Sequence, residues 1–283
     1  MAQARAEGVI ERVARSGELV LVGIPDNPPL LDDNRKGENR GYAVAVARWI
    51  KDELSTAIGR PVKLRVEAVA SASELGERIG AGRADLACGV PFTWARDMQF
   101  DFSLPIGLSG LRLLAPAGRF DGSLARLRGQ RIAVVADSLA ESELRGAGSG
   151  AVLVPYPNLS EAVTALSGGR VQGVVGDSLM LAGLAREQGV KGLALTPDQP
   201  YERYALACML LENDSAFRNL VNLAIARLLQ GYIDGDPRAV ESVERWVGPG
   251  STVALPPERI RTYFETVLLG VEAIRPLPAR GGS

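Results

Sequence analysis

Arg96 stands three residues after Thr93, just beyond the apolar run Ala84-Asp-Leu-Ala-Cys-Gly89. The run reads as a short buried strand, and Thr93 is suited to cap a single helical turn that contains Arg96. A guanidinium and free backbone N–H groups at the end of a strand suit a carboxylate. Arg offers a planar fork of donors, and a helix start adds partial positive charge. The same residues equally describe a surface turn in which Arg96 pairs with Asp97 or Asp101. Trp94, in the same turn, is either an aromatic wall for a ligand or a packing residue. Asp177 is the second position of interest. In Asp177-Ser-Leu-Met-Leu-Ala it sits at a strand-to-helix junction, where a carboxylate is most simply a helix cap.

Other chemistries are excluded by residue type. The chain has no His, which removes a Ser-His-Asp or Cys-His engine and any His-ligated metal. Gly176-Asp-Ser-Leu179 matches a hydrolase signature whose family also needs a catalytic His, so the match is chance. No Gly-x-x-x-x-Gly-Lys-Ser/Thr phosphate loop is present. The 283 residues, 46% hydrophobic and 23% charged, are enough for one large domain or two lobes. A net charge of −1 gives no electrostatic case for nucleic acid or an anionic membrane. No apolar run approaches the roughly 20 residues of a membrane span. Cys88 and Cys208 lie in apolar runs, as two small buried residues or as a single bridge in an oxidising compartment. The opening Met-Ala-Gln-Ala-Arg-Ala lacks the apolar core of a signal peptide. That leaves both a cytoplasmic protein and a mature exported form open.

The elements that must position these residues alternate between helix and strand. Val9–Ser16 is a short amphipathic helix before Gly17, and Leu19–Ile24 is a continuous apolar strand. Pro25-Asp-Asn-Pro-Pro29 is a loop, and residues 32–40 suit a surface turn. Helix 41–54, strand 62–69 and a helix from Ser71 or Ser73 to Ala81 follow. Strand 129–136, a helix from Ser138 to Leu144, strand 151–156 and helix 160–167 repeat that layout. The segment Ile79-Gly-Ala-Gly-Arg-Ala-Asp-Leu-Ala-Cys-Gly89 aligns without gaps against Leu166-Ser-Gly-Gly-Arg-Val-Gln-Gly-Val-Val-Gly176. Two such copies predict two similar α/β lobes with parallel strands. Strand 108–116 and the stretch 197–204 connect them. Strand 205–211, helix 215–232, a helix over 240–246 and a final helix over 258–274 complete the chain. The expected division is lobe 1 over 17–111 and 204–250, and lobe 2 over 112–203. A helical extension with a disordered tail is expected over 251–283. Two crossings of this kind permit hinge closure on a ligand.

Thr93-x-x-Arg96 followed by Phe100-Asp-Phe-Ser-Leu-Pro105 resembles the signature of the polar-amino-acid solute-binding proteins of ABC importers. The resemblance runs from about Val9 to Trp246 and includes Gly41-Tyr-Ala-Val-Ala-Val-Ala, Leu127-Arg-Gly-Gln-Arg-Ile-Ala-Val and Gly169-Arg-Val-Gln-Gly-Val-Val-Gly-Asp177. It implies a type II periplasmic-binding-protein architecture: two Rossmann-like lobes and two hinge crossings. It also implies non-catalytic capture of an amino-acid-like solute in the cleft, a periplasmic location, an ABC permease as partner, a monomer and no cofactor. Arg96 would grip the ligand carboxylate and Asp177 its ammonium. Thr93, Ser138, Asn27, Trp94, Gly89, Asp137 and Leu139 would border the ligand.

The chain departs from the pattern at several of these positions. Ala43 stands where the family places an acid. Pro91 replaces a residue that often carries a hydroxyl. Asp137-Ser138-Leu139 keeps one hydroxyl of a Gly-(Ser/Thr)-Thr turn, and Asn27 replaces a stacking aromatic. Two alternatives follow. One is a periplasmic dehydratase of an aromatic-acid precursor, for which Asp137, Glu141 and Asp177 are the acid/base candidates. The other is an orphan binding or sensing protein for a peptide or other small ligand. The Pro-Phe-Thr-Trp turn is similar to one in cyanobacterial orphan binding-like proteins.

Overall fold

The computed structural model describes residues 7–25, 27–34 and 38–271. The first lobe opens with α1 (Val9–Ser16), β1 (Glu18–Gly23), β2 (Asp32–Asn34), β3 (Glu38–Arg40) and α2 (Tyr42–Ile58). It continues with β4 (Lys63–Ala68), α3 (Ala72–Gly80), β5 (Leu86–Pro91), α4 (Trp94–Asp97) and β6 (Asp101–Phe102). The long strand β7 (Gly107–Pro116) leads out of it. A 3-10 turn (Leu124–Leu127), β8 (Arg131–Val135), α5 (Leu139–Gly146), β9 (Val152–Tyr156) and α6 (Leu159–Ser167) follow. Then come β10 (Gly173–Asp177), α7 (Ser178–Glu187) and β11 (Leu193–Thr196). The strand β12 (Glu202–Leu210) leads back to α8 (Ser215–Asp234), α9 (Pro237–Val247) and α10 (Pro257–Leu268).

The strands run β4-β1-β5-β12-β7-β10-β8-β9, with β6 beside β12 and β11 beside β7. Parallel pairs (β1 with β4 and β5, β8 with β9 and β10) flank an antiparallel centre, β7 against β12. These two strands are the crossings between the lobes, and the fold is the two-lobe α/β architecture read from the sequence. The internal repeat explains its symmetry: β5 begins at Leu86 and β10 at Gly173, the equivalent positions of the two aligned segments.

Strand β1 shows why the first lobe holds together. Leu19 and Leu21 face the main core with Val46, Ile50 and Leu228, while Val20 and Val22 face a second cluster with Leu75 and Ile79. A strand buried on both faces reads as an unbroken apolar run. The second lobe has its own cluster around Ala133, Val163, Val174 and Leu181.

Three details differ from the sequence reading. Within the expected surface turn, Asp32–Asn34 and Glu38–Arg40 pair as two short antiparallel strands, closed by an Arg40–Asp32 ion pair at 2.6 Å. Strand β12 begins at Glu202, because pairing with Leu111 across the hinge holds extended a stretch that looked like connection. The last helix ends at Leu268, short of the expected 274. The tail expected beyond it lies outside the described residues from 272 on.

Cys88 and Cys208 form a disulfide, lying opposite each other in the β5–β12 register. The bridge links residues 120 apart in sequence. Closing a loop of that size restricts the unfolded chain, so Cys88→Ala with Cys208→Ala is expected to lower stability by about 2–4 kcal/mol. The shift would be read as a lower midpoint in guanidinium unfolding.

Candidate functional site

The turn around Arg96 is built as its sequence implies. Thr93 Oγ1 accepts the Arg96 N–H at 3.3 Å and fixes the start of α4. The Arg96 side chain folds back and donates from Nη1 to the Pro91 carbonyl at 2.9 Å. Pro91 has no N–H to offer a ligand, but its carbonyl aims the guanidinium. Asp101 is taken by Arg218 at 2.8 Å. Among the described residues Arg96 has no carboxylate partner, which removes the reading in which it pairs with Asp97 or Asp101. Burial lowers its pKa from the usual guanidinium value.

Arg96 opens on a cavity of about 140 Å³ at the carboxyl ends of β1 and β5, where open α/β sheets hold ligands. Asn27 and Gly89 line it with Arg96, so three of the expected residues meet there. Gly89 has φ +81, and a Cβ at that position would collide with Leu30. Asn27 shapes the loop: its N–H donates to the Leu31 carbonyl at 3.0 Å, and its carbonyl accepts from Leu30 and Leu31. Apart from Arg96 and Asn27 the wall consists of apolar side chains and glycine. Leu30, Ala43, Leu75 and Met209 come from the first lobe and Met180 from the second.

Asp177 ends β10 and caps α7. Its Oδ1 accepts from the N–H groups of Leu179 (2.9 Å) and Met180 (3.1 Å), and its Oδ2 accepts from the Tyr204 hydroxyl at 2.9 Å. The cap reading is therefore correct. Burial pushes this carboxyl above the ordinary value, while hydrogen bonds from Ser109, Met180, Tyr204 and Leu179 pull the other way. Asp177 does not line the Arg96 cavity. It stands behind Met180, which does. Tyr204 links the two charges: its pKa is raised by burial and by Asp177 and lowered by Arg96.

The remaining expected residues, Thr93, Trp94, Asp137, Ser138 and Leu139, do not enter the cavity lining. Ser138 caps α5, accepting from Glu141 N–H at 3.3 Å and donating to the Val135 carbonyl at 2.6 Å. Asp137 is exposed, at φ 57, and its N–H donates to Glu141 Oε2 at 2.8 Å. Leu139 packs against the core. Trp94 is 78% exposed and rests edge-on against Phe92 at 5.3 Å. Glu141, an acid/base candidate of the dehydratase reading, is tied to Arg145 at 2.7 Å, and that bond holds its carboxyl below the usual value. Among the described residues no group of three or more His, Cys, Asp or Glu could hold a metal ion.

Sequence reasoning did not single out Met180, Leu30 or Tyr204. Met180 could have been found as the third residue past Asp177, on the helix that Asp177 caps. Tyr204 carries no local signal, because its approach to Asp177 follows from the pairing of β12 with β7.

Two α/β lobes joined by a hinge of paired strands, with a small arginine-lined cavity at strand ends, are the arrangement of a solute-binding protein. Residues 19–235 match the bacterial extracellular solute-binding proteins, family 3, and the chain belongs to that family. It is 23% identical over 276 residues to the glutamate/aspartate import solute-binding protein of Salmonella typhimurium, covering 92% of this chain and 85% of that one. It is 22% identical over 238 residues to the ABC transporter glutamine-binding protein GlnH of Bacillus subtilis, covering 82% of each. Its fold matches a mutant of ArgBP from T. maritima with a TM-score of 0.72 at 19% identity, over 84% of this chain and 98% of the other.

Proposed function

We propose that the chain binds one α-amino acid with a compact apolar side chain, without chemistry, as a periplasmic, monomeric receptor for an ABC permease. Arg96 holds the carboxylate, and Asp177, which here stands behind Met180 outside the cavity lining, meets the ammonium only once the lobes close. The lobes, 17–111 with 204–250 and 112–203, close about β7 and β12. The observation that carries the reading is the Arg96 cavity itself, in which one guanidinium faces a wall otherwise almost wholly apolar. The relatives are named for acidic and amide side chains. Here Ala43 and Met180 line the pocket, and the lining holds no second charge to pair with a charged side chain. Burying such a charge unpaired is costly. Because the two charges lie on different lobes, the ligand favours the closed state.

Asp177 gives this reading a pH dependence. Burial raises its carboxyl pKa above the usual value. Protonation of Asp177 as pH falls takes the counter-charge from the ammonium while Arg96 keeps its charge. Affinity is expected to fall as pH drops through that raised value. Stability moves the opposite way: a raised folded pKa contributes stability that is present at low pH and lost as pH rises through it. Calorimetric titrations across the acidic range, with melting curves at each pH, check both signs. The class of ligand is tested by calorimetry against single amino acids after unfolding and refolding.

A further inference from the structure

Helix α10 lies beyond residues 19–235, the part of the chain that the family accounts for. It does not simply cover the first lobe. Between α10 and the hinge lies a cavity of about 720 Å³, within the ordinary range of small-molecule sites. Its floor is the hinge pair, where Gly107 lies opposite Leu206 and Leu108 beside them is 47% exposed. Ile260, Tyr263 and Phe264 of α10 form the outer wall, and Leu179 reaches in from the second lobe.

The polar groups in this wall are already satisfied. Tyr42 Oη donates to the Ile106 carbonyl at 2.9 Å, and Tyr263 Oη donates to the Gly107 carbonyl at 2.8 Å. An occupant therefore meets an apolar interior and a polar rim. Exposed Glu258, Arg259, Thr262 and Thr266 form that rim. Glu258 has no ion-pair partner among the described residues, since Arg261, one turn on, donates to the Ile233 carbonyl. Arg259 has no acidic partner among the described residues. Arg259 is thus a cation at the mouth that is open to an anionic group.

We propose that this cavity is a second ligand site, distinct from the Arg96 cleft, for an amphipathic acid whose apolar body fills the interior and whose anionic group meets Arg259. Leu30 lines both cavities, so the two sites share one side chain. Because hinge and second-lobe residues line this site, an occupant touches the parts that must move in closure.

The test uses the full chain and 8-anilinonaphthalene-1-sulfonate, an aromatic body with one sulfonate, with decanoate as competitor. One saturable site per chain is expected, displaced by decanoate. Thr262→Trp and, separately, Thr266→Trp place a large ring at the cavity mouth from exposed positions and are expected to abolish that site. Arg259→Ala should weaken it about 5- to 10-fold. Arg96→Ala should leave it unchanged, which separates this site from the amino-acid cleft. Decanoate should raise the melting temperature of the unsubstituted chain and not of the tryptophan variants. The proposal is overturned by the absence of saturable binding, by binding that survives both tryptophan variants, by failure of decanoate to compete, or by loss in Arg96→Ala instead.

Discussion

Arg96→Ala is expected to weaken amino-acid binding by several hundred-fold while leaving the fold intact. The guanidinium donates one N–H to Pro91, and its remaining donors face the cleft. A carboxylate held by a bidentate pair gains two charge-assisted hydrogen bonds, together about 3–4 kcal/mol, and each 1.4 kcal/mol is about tenfold in Kd. The protein loses little, because Arg96 makes no ion pair among the described residues. Arg96→Lys keeps the charge without the fork, and intermediate affinity is expected. Calorimetric titration gives the affinities, and melting curves should differ little from those of the unsubstituted chain.

The second large effect is on stability. Gly41 lies at φ +140, where only glycine rests without strain, and a Cβ there would overlap the Leu30 carbonyl oxygen. The contact is close because the loop 27–31 caps α2: Tyr42 N–H donates to the Pro29 carbonyl at 2.8 Å, and Ala43 N–H to the Leu30 carbonyl at 3.0 Å. Gly41→Ala must displace that loop or unwind the helix start. A loss of roughly 4 kcal/mol is expected, seen as a lower midpoint in chemical unfolding. The displaced loop carries Asn27, Leu30 and Leu31 of the cleft wall, so surviving protein should also bind ligand more weakly.

Local chemistry made the Arg96 turn legible from sequence. A capping threonine, a short turn and an arginine are all within four residues, and Thr93 caps the turn as expected. The repeat of residues 79–89 in 166–176 did the same for the two lobes, since each copy carries a helix end, a glycine stop and a strand. The disulfide stayed open in the sequence because pairing depends on register: Cys88 meets Cys208 only once β12 returns from the second lobe. Asp177 was legible as a cap, but its third partner, the Tyr204 hydroxyl, comes from a strand 27 residues away. The α10 cavity left no trace in the sequence. Its lining joins residues from the loop before α2, both hinge strands, α7 and the last helix, which no spacing along the chain connects.

The measurement that bears most directly on the central claim is calorimetry of the refolded full chain against each amino acid singly. One neutral amino acid with a compact apolar side chain should bind at one per chain. Glutamate and arginine should be weaker by about 100-fold or more, since neither finds a partner for its second charge. Tighter binding of an acidic or basic amino acid, or no binding of any amino acid, would contradict the account.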